Sequence, residues 1–274
     1  MTGVQTCALP IFINDEKSYR AHPALNFSSA KHLLDSPKHF KASLAEKVEQ
    51  TEDMLIGTAV HAKILEGRDY PLAVMPEGMD GRTSEGRAWK KANSHLETMS
   101  RDGFAMVKRL IEAVQTSADV QYLLSRCHFR EQGIVQSFRN TEIKGKIDAL
   151  GQDEQGRYMI VDVKTAKDAN PAVWSIEASR RRYFLQMSWY QTLVALEYKL
   201  DYAPPFFWVV AEKTDAADVC IFQPPPEALQ IGQKQLDICI ERYQECQRTN
   251  QWPGYGSGLL DLEVSYFDRR KYLN

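Results

Sequence analysis

Cysteine is scarce in this sequence, and its spacing does not suit a metal site. The 274 residues contain five cysteines, at positions 7, 127, 220, 239 and 246, and no two of them form a Cys-x-x-Cys pair. No histidine stands at a zinc-binding distance from them along the chain. An odd number of dispersed thiols without a secretory signal is typical of a reducing compartment. We therefore expect a cytoplasmic protein without a zinc–cysteine site.

Long apolar runs and an excess of positive charge are also missing. No stretch approaches the roughly 18 consecutive apolar residues of a membrane span, so no membrane partner is expected. The formal net charge is −2, which excludes a uniformly basic surface. A nucleic-acid partner would then need local basic clusters. Such clusters occur at residues 82–91, 180–182 and 269–271, although a charge cluster is usually only a solvated surface.

The N-terminal residues look foreign to the rest of the chain. Residues 2–11, Thr-Gly-Val-Gln-Thr-Cys-Ala-Leu-Pro-Ile, resemble the in-frame translation of a sequencing-adapter oligonucleotide. We therefore set residues 1–11 apart from the fold. Residues 12–50 are expected to form an N-terminal helical arm, with helix caps at Asn26 or Ser28 and at Ser36.

The chain is organised around residues 141–167, where two strand-like runs flank a polar, glycine-containing turn. Apolar and polar residues alternate over both runs, which is the period of two that a strand requires. A hairpin whose turn is centred near Gln155 places Asp148 opposite Asp162. Asp162 and Lys164 are two residues apart, so both side chains leave the same face of the sheet.

Two carboxylates placed so close together predict a cation between them. Opposed residues of a hairpin have Cβ atoms roughly 5 Å apart, and like charges there repel unless they are protonated or bridged. Mg²⁺ prefers such oxygens and keeps several waters, and a neighbouring lysine can reach a phosphate oxygen or a metal-bound water. Asp148, Asp162 and Lys164 are thus a candidate site for metal-assisted phosphodiester hydrolysis. The alternative is an ordinary hairpin with solvated acids.

A second informative stretch is residues 53–66, whose apolar residues recur at helical spacing after a possible cap at Asp53. Gly57 inside this helix costs up to about 1 kcal/mol relative to alanine, which implies that another part of the chain approaches it closely. His61 is either a satisfied core residue or a ligand for metal or phosphate. The second interpretation requires the helix to pack over the hairpin that carries Asp148 and Asp162.

The helix predicted over residues 183–200 is apolar nearly all round, so it should be buried. It nevertheless carries Tyr183, Gln186 and Tyr190 on one face. A polar stripe on a buried helix needs hydrogen-bond partners. Those partners lie either within the core or at the site, where DNA phosphate and Lys164 are the candidates.

The remaining periodic segments predict the architecture. Helices are expected over 89–99, 103–124, from 171 after a cap at Asn170, and over 226–248, and strands over 129–139, 206–211 and 219–222. Glu131 opens the first of these strands, either as a third acid of the site or as a solvated strand-end residue. Residues 67–100 include a long polar connection that carries Arg82, Thr83 and Arg87. The element order predicts an α/β (α+β) fold with a mixed central sheet flanked by helices.

Four motifs in this order resemble one known family. They are Gly57-Thr58-Ala59-Val60-His61, Gly145-Lys146-Ile147-Asp148, Asp162-Val163-Lys164-Thr165 and Tyr183-x-x-Gln186-x-x-x-Tyr190. The set resembles the RecB-like branch of the PD-(D/E)xK nuclease superfamily, closest to the C-terminal nuclease domain of exonuclease VIII (RecE) and its phage-encoded relatives. The likeness runs from His22-Pro23 to Trp252-Pro253. It implies a restriction-endonuclease-like fold, with the exonuclease domain over residues 51–274.

The resemblance also implies an activity: 5′-to-3′ degradation of linear double-stranded DNA with Mg²⁺, or with Mn²⁺ as a substitute. By motif, the implied metal site comprises Asp148, Asp162, the Val163 carbonyl and His61, to which Glu131 is added as the possible third acid. Lys164 would orient or activate the attacking water. Gln186 and Tyr190 would hold that lysine or the DNA backbone. DNA contacts are expected from Arg82, Thr83, Arg87, Arg181 and Tyr183.

The family's closest members form toroidal tetramers and act in recombination with a RecT-like single-strand annealing protein. A homo-oligomer and such a partner are therefore implied here. No Pro-Asp precedes the hairpin, so Asp148 takes that place, as in this branch. The cysteine spacing offers no four-cysteine set, so no iron–sulfur cluster is expected. The alternatives are a structure-specific or restriction-type endonuclease and a catalytically silent DNA-binding module, although the intact Asp148, Asp162 and Lys164 argue against the latter.

Overall fold

The computed structural model describes residues 11–12, 15–46, 49–256 and 258–273. The strands are β1 Ile11–Phe12, β2 Leu25–Asn26, β3 Leu72–Val74, β4 Glu97–Met99, β5 Cys127–Phe138, β6 Thr141–Gln152, β7 Tyr158–Ala166, β8 Phe206–Glu212 and β9 Val219–Phe222. The first ten residues of the segment set apart in the sequence lie outside the described residues, and its last, Ile11, begins β1.

Helices precede, interrupt and follow these strands. They are α1 Glu16–Ala21, α2 Phe27–Ala30, α3 Pro37–Ala45, α4 Glu52–Glu66, α5 Ser84–Ala92, α6 Arg101–Thr116, α7 Ala118–Ser125, α8 Pro171–Arg180, α9 Tyr183–Tyr198, α10 Pro226–Thr249 and α11 Tyr266–Tyr272, with a 3-10 turn over Lys31–Leu34. Among the described helices, none combines the length and hydropathy that a membrane crossing requires.

The central sheet is mixed, in the order β1-β5-β6-β7-β8-β9, with β2 paired to β6 as well. The pairs β7–β8 and β2–β6 are parallel, and the other neighbours are antiparallel. β3 and β4 form a separate parallel pair. In the central hairpin Ala149 lies opposite Val161, which is the predicted register. The predicted fold class, a mixed sheet flanked by helices, is confirmed.

The register leaves an opening along one edge of β6. On that edge β7 pairs with residues 149–152, and β2 pairs with Ile143 and Lys144. The motif Gly145–Asp148 lies between these two ladders and has no ladder partner on that edge among the described strands. Side chains of other elements therefore have access to this part of β6.

The sheet separates two buried apolar clusters. One contains residues of α8, α9 and α10, together with Leu25, Phe27, Leu33 and Phe40 from the predicted N-terminal arm. The other contains residues of α4, α6 and α7. The arm is thus part of the main core, because its large apolar side chains are buried against α9, α10 and the sheet.

Several predicted helix starts are confirmed. Asn26 accepts a hydrogen bond from the Ser29 amide, and Ser36 accepts one from the His39 amide with Pro37 in the first turn. Asn170 caps α8 in the same way. In α9, nine residues are buried, as its all-round apolar pattern predicted.

Three local predictions are wrong. α4 is capped by Thr51, which accepts from Met54 N, and Asp53 instead pairs with Lys213. The helix predicted over 103–124 is broken at Ser117, whose backbone is extended; the break lets α6 and α7 both bury their apolar faces in one cluster.

The third error concerns the helix predicted over 89–99. Thr83 caps α5 by accepting from Gly86 N, so the helix begins earlier and ends at Ala92. Residues Glu97–Met99 form β4 instead. The side chain of Met99 is 1% exposed, and pairing with β3 satisfies the backbone that this burial would otherwise leave without partners.

Candidate active site

Asp148 lies where the β6–β7 ladder ends. Its Oδ2 accepts a hydrogen bond from the backbone N–H of Val163 at 2.9 Å. The Asp148 carboxylate thus takes the place of the backbone carbonyl that would be the next acceptor along the ladder. The β6–β7 ladder pair next to it is Ala149–Val161, and the same register continued by one residue places Asp162 across from Asp148. The structure therefore brings the two predicted carboxylates together at the fork of the hairpin.

Asp162 is completely buried and is held by two other side chains. The Lys164 ammonium lies 2.5 Å from its Oδ2, which shows that both side chains leave the same face of β7. The Gln186 amide donates to its Oδ1 at 3.2 Å and also lies 3.1 Å from the Tyr190 hydroxyl. Gln186 and Tyr190 thus reach the site from α9. One oxygen of Asp162 contacts Lys164, and the other accepts from Gln186.

His61 enters the site from α4. Its Nε2 lies 2.5 Å from the Val163 carbonyl oxygen, so Nε2 carries the proton and donates. Its Nδ1 then offers a lone pair and lies 3.7 Å from Asp148 Oδ2. The helix packs closely over β7, since a Cβ on Gly57 would lie 3.2 Å from Thr165 Oγ1. The close approach that Gly57 predicted is thus present, and His61 faces the hairpin.

Glu131 reaches the site from β5. It lies between the ladder pairs Arg130–Ala149 and Gln132–Ile147, directly across from Asp148, with a positive φ of 52°. Such a backbone conformation is uncommon for glutamate and redirects the side chain. The structure places Glu131 among the site residues rather than at a solvated strand end.

His61, Glu131 and Asp148 form a donor set that could hold a metal ion. One ligand atom from each residue lies within 4.8 Å of the others. Two carboxylates and a neutral imidazole suit a divalent ion such as Mg²⁺ or Mn²⁺, so the residues fit the implied metal. Val163 O has a second lone pair beside this set. Asp162 lies next to the set: its Oδ1 accepts from Gln186 and its Oδ2 forms the ion pair with Lys164, and its role as a metal ligand stays a prediction.

The electrostatics of the site follow from its burial. Burial raises the pKa of Asp148 to about 6, with Lys164 opposing and Glu131 adding to the shift. Burial likewise raises the pKa of Asp162 to about 6, against the opposing effect of Lys164. Burial works against the charge of Lys164, but the carboxylates of Asp162 and Asp148 outweigh it and raise its pKa to about 12. Burial and Lys164 lower the pKa of His61, which keeps its imidazole neutral and able to bind a metal.

Tyr183 begins α9 at the edge of the site. The Lys164 ammonium lies 5.2 Å from the centroid of its ring, a cation–π contact. The preceding residue, Arg182, has a left-handed backbone with φ of 62°, which sets the direction in which α9 starts. Arg181 pairs with Glu177 at 2.8 Å, and the two arginines line an open basic cleft next to Tyr183.

The structure does not bring Arg82, Thr83 and Arg87 to the carboxylates. Arg82 pairs with Asp80 at 2.8 Å, Thr83 caps α5, and Arg87 donates to the Arg82 carbonyl. None of the three contacts a site residue within the described part of the chain. A role of this segment in DNA binding stays a prediction.

Sequence reasoning missed Lys146 as a site residue. Its ammonium lies 2.6 Å from Glu131 Oε2, beside the metal-donor set. The signal was present in the sequence, because Lys144, Lys146 and Asp148 alternate along β6 and alternate residues share a direction. Lys144 proves to be structural: it is 3% exposed, and its ammonium donates to two backbone carbonyls.

Comparison with known proteins identifies the domain. A family model described as "PDDEXK-like domain of unknown function (DUF3799)" matches residues 26–264. The crystal structure of a protein from Eubacterium rectale, named "Putative exonuclease", superimposes with a TM-score of 0.61 at 14% identity, over 94% of this chain and 98% of that chain. This level of identity establishes a shared fold only. The solved structure of a protein named SSO0001 matches at a TM-score of 0.31 and 11% identity, over 75% of this chain and 81% of the other. No curated protein matches the chain.

Proposed function

The chain belongs to the family of PDDEXK-like domains DUF3799, within the PD-(D/E)xK nuclease superfamily, and on that premise we propose that it is an Mg²⁺-dependent exodeoxyribonuclease of linear double-stranded DNA. The observation that carries the proposal is the meeting of the buried ion pair Asp162–Lys164 with the donor set His61, Glu131 and Asp148. These groups come from four separated segments, and their convergence is not explained by packing of an ordinary hairpin.

The site residues have separate roles in the proposed phosphodiester hydrolysis. His61, Glu131 and Asp148 would hold the metal, with Val163 O and Asp162 as the further predicted ligands. When bound, the metal would lower the pKa of a coordinated water and neutralise charge on the phosphate. Lys164 is protonated at neutral pH because its pKa is raised to about 12. In this state it donates hydrogen bonds, so its role is to orient the attacking water and stabilise the developing negative charge.

The contacts of α9 keep the lysine in place. Gln186 donates to Asp162, and Asp162 fixes the Lys164 ammonium. Tyr190 lies within hydrogen-bonding distance of Gln186, and burial raises the pKa of its phenol well above the usual value, so it stays a neutral partner. Gln186 and Tyr190 are thus positioning residues that act through Asp162.

The experiment is digestion of linear duplex DNA in Mg²⁺, with the label on the 5′ end in one sample and on the 3′ end in the other. We expect the 5′ label to be released early as a short product and the 3′ label to be retained. Closed circular duplex should not be attacked. Linearisation of the circle would support the endonuclease alternative instead. DNA binding without cleavage in either Mg²⁺ or Mn²⁺ would support the silent binding module.

We also propose, on the resemblance of the four motifs alone, that the chain forms a toroidal tetramer and acts with a RecT-like annealing protein in phage-type recombination. Light scattering of the purified protein tests the assembly, with a tetramer mass as the expected result. A monomer at micromolar concentration would contradict it. Co-purification with a RecT-like single-strand annealing protein tests the partner, and a failure of the two proteins to bind would contradict it.

A further inference from the structure

Lys146 is held between two carboxylates that come from opposite directions. Its ammonium lies 2.6 Å from Glu131 Oε2 and 3.0 Å from Glu16 Oε2. Glu131 belongs to the metal-donor set, whereas Glu16 lies in the first turn of α1. The Lys146 side chain is 32% exposed, so an outside ligand can reach it.

α1 is fastened beside Lys146 at its other end. The ammonium of the buried Lys144 donates to the carbonyls of Tyr19, at 2.7 Å, and His22, at 2.6 Å. The same ammonium lies 4.8 Å from the centroid of the Tyr19 ring. α1 has no buried residue of its own, so this anchor, rather than apolar packing, fixes the helix over β6.

Glu16 has a second cationic partner. Its Oε1 lies 2.6 Å from the Arg20 guanidinium, one turn along α1. If Glu16 leaves Lys146, its charge therefore stays paired. Ion pairs of this exposure contribute little to stability, so a phosphate oxygen that approaches Lys146 can displace the Glu16 carboxylate.

We propose, resting on the nuclease function proposed above, that Lys146 binds a substrate phosphate next to the metal-donor set and that Glu16 occupies the place of that phosphate in the DNA-free chain. A carboxylate and a phosphate both offer anionic oxygens to a lysine ammonium. The first turn of α1 is thus an internal competitor for the DNA backbone. It keeps the Lys146 ammonium in position in the DNA-free chain. It also weakens DNA binding, because the Glu16–Lys146 ion pair must break before the phosphate can bind.

The test is a double-mutant cycle on Glu16→Gln and Lys146→Ala. The dissociation constant of a fluorescent linear duplex is measured by anisotropy in EDTA, where no metal is loaded, and the KM for cleavage is measured in Mg²⁺. Glu16→Gln should tighten binding and lower KM by about two- to fivefold, the range of an exposed ion pair. It should have no effect in the Lys146→Ala background, since the two residues then no longer interact.

Salt dependence gives a second readout for Lys146. Loss of one phosphate contact in Lys146→Ala should reduce the slope of log affinity against log salt by about 1.

Glu142→Gln is the matched control for Glu16→Gln. It removes the same charge from an exposed position of β6, and its carboxylate has no ion-pair partner in the described residues. This control should leave KM unchanged within twofold.

The possible failures can be told apart. If the unmodified chain cleaves DNA but Glu16→Gln and Glu142→Gln change binding equally, Glu16 is only one surface charge among others and the inference is overturned. An unchanged salt slope in Lys146→Ala would overturn the phosphate contact. If the unmodified chain neither binds nor cleaves duplex DNA, the nuclease proposal itself falls.

Discussion

The backbone N–H of Val163 donates to the carboxylate of Asp148, with the nitrogen 2.9 Å from Oδ2. This contact joins two strands at the point where their ladder stops. It fixes the carboxylate in the fork of the hairpin, while the carbonyl of the same Val163 faces His61. One residue of β7 therefore positions, through its two backbone groups, two members of the metal-donor set.

Lys164→Ala should abolish cleavage without unfolding the protein. Loss of a group that positions the water and stabilises charge lowers kcat by about 100-fold or more. The substitution also leaves Asp162 buried without its cation, which costs about 3 kcal/mol of unfolding free energy at pH 8. In the variant the pKa of Asp162 rises further above its value of about 6 in the unmodified protein, because the opposing effect of Lys164 is gone, so the loss should shrink as the pH falls toward 6 and below. Cleavage assays and thermal unfolding at pH 5 and pH 8 measure both effects.

The matched control for this change is Lys167→Ala, an exposed lysine three positions further along the chain. It should retain activity and stability. Full activity of Lys164→Ala would remove the lysine from the mechanism.

Asp148→Asn should stabilise the metal-free protein at neutral pH. The folded-state pKa of Asp148, about 6, lies above its ordinary value of 3.8, so folding favours its protonated form. The resulting penalty is absent below about pH 4, grows between pH 4 and 6, and is complete above pH 6, where it reaches about 3 kcal/mol. Asparagine still accepts from Val163 N and removes the penalty. We expect a melting temperature roughly 5 °C higher at pH 7.5 in EDTA and no difference at pH 4.

Asp201→Asn provides the reference for Asp148→Asn, because it removes an acid from an exposed turn. It should give no such pH-dependent difference. A clear loss of stability of Asp148→Asn at pH 7.5 would contradict the description of Asp148 as a buried, unfavourable charge.

Glu131→Gln should weaken metal binding, because it removes the negative charge of the side chain while preserving the shape of that side chain. A ligand that binds only the folded state at 100 times its dissociation constant raises the unfolding free energy by about 2.7 kcal/mol. Loss of one anionic donor should remove most of the Mn²⁺-induced rise in melting temperature. Glu142→Gln should respond to Mn²⁺ like the unmodified protein. Equal Mn²⁺ responses of the two variants would exclude Glu131 from the metal site.

Gly145→Ala should damage both stability and activity. The added Cβ would lie 2.6 Å from Leu193 Cδ1 and 3.0 Å from Tyr190 Cε1. Overpacking of this kind costs about 1–3 kcal/mol, and displacement of Tyr190 disturbs the partner of Gln186. Denaturant unfolding and kcat measure the two consequences.

Gly57→Ala is the contrasting variant. Its Cβ would meet only Thr165 Oγ1, at 3.2 Å, and alanine favours the helix by up to about 1 kcal/mol. We expect stability close to that of the unmodified protein. If Gly57→Ala proved as damaging as Gly145→Ala, the steric account of the motif Gly145–Asp148 would be wrong.

The elements with strong periodicity could be predicted from the sequence, and so could the hairpin register. Alternation on both sides of the turn near Gln155 gave the pairing of Ala149 with Val161, and the apolar pattern of α9 predicted its burial. These signals are local, because a strand or helix that buries a face must repeat it. The carboxylates and the lysine of one hairpin could therefore be brought together without a structure.

The rest of the site depends on contacts that local patterns do not encode. The sequence leaves Glu131 open between a third acid of the site and a solvated strand-end residue, because the positive φ at this position is not predicted by the neighbouring residues. The alternation along β6 indicates that Lys146 shares a face with Asp148, but its ion pair with Glu16 joins residues that are 130 positions apart and cannot be read from a local pattern. The strand Glu97–Met99 follows from pairing with β3, since its sequence alone also suits a helix end.

The most direct test of the metal centre is a crystal of this protein soaked in Mn²⁺ and measured for anomalous scattering. We expect a peak bounded by His61 Nδ1 and the carboxylates of Glu131 and Asp148, and we expect this peak to be lost in Glu131→Gln. An anomalous map without a peak at these three side chains, in a crystal whose soaked protein still cleaves DNA, would contradict it.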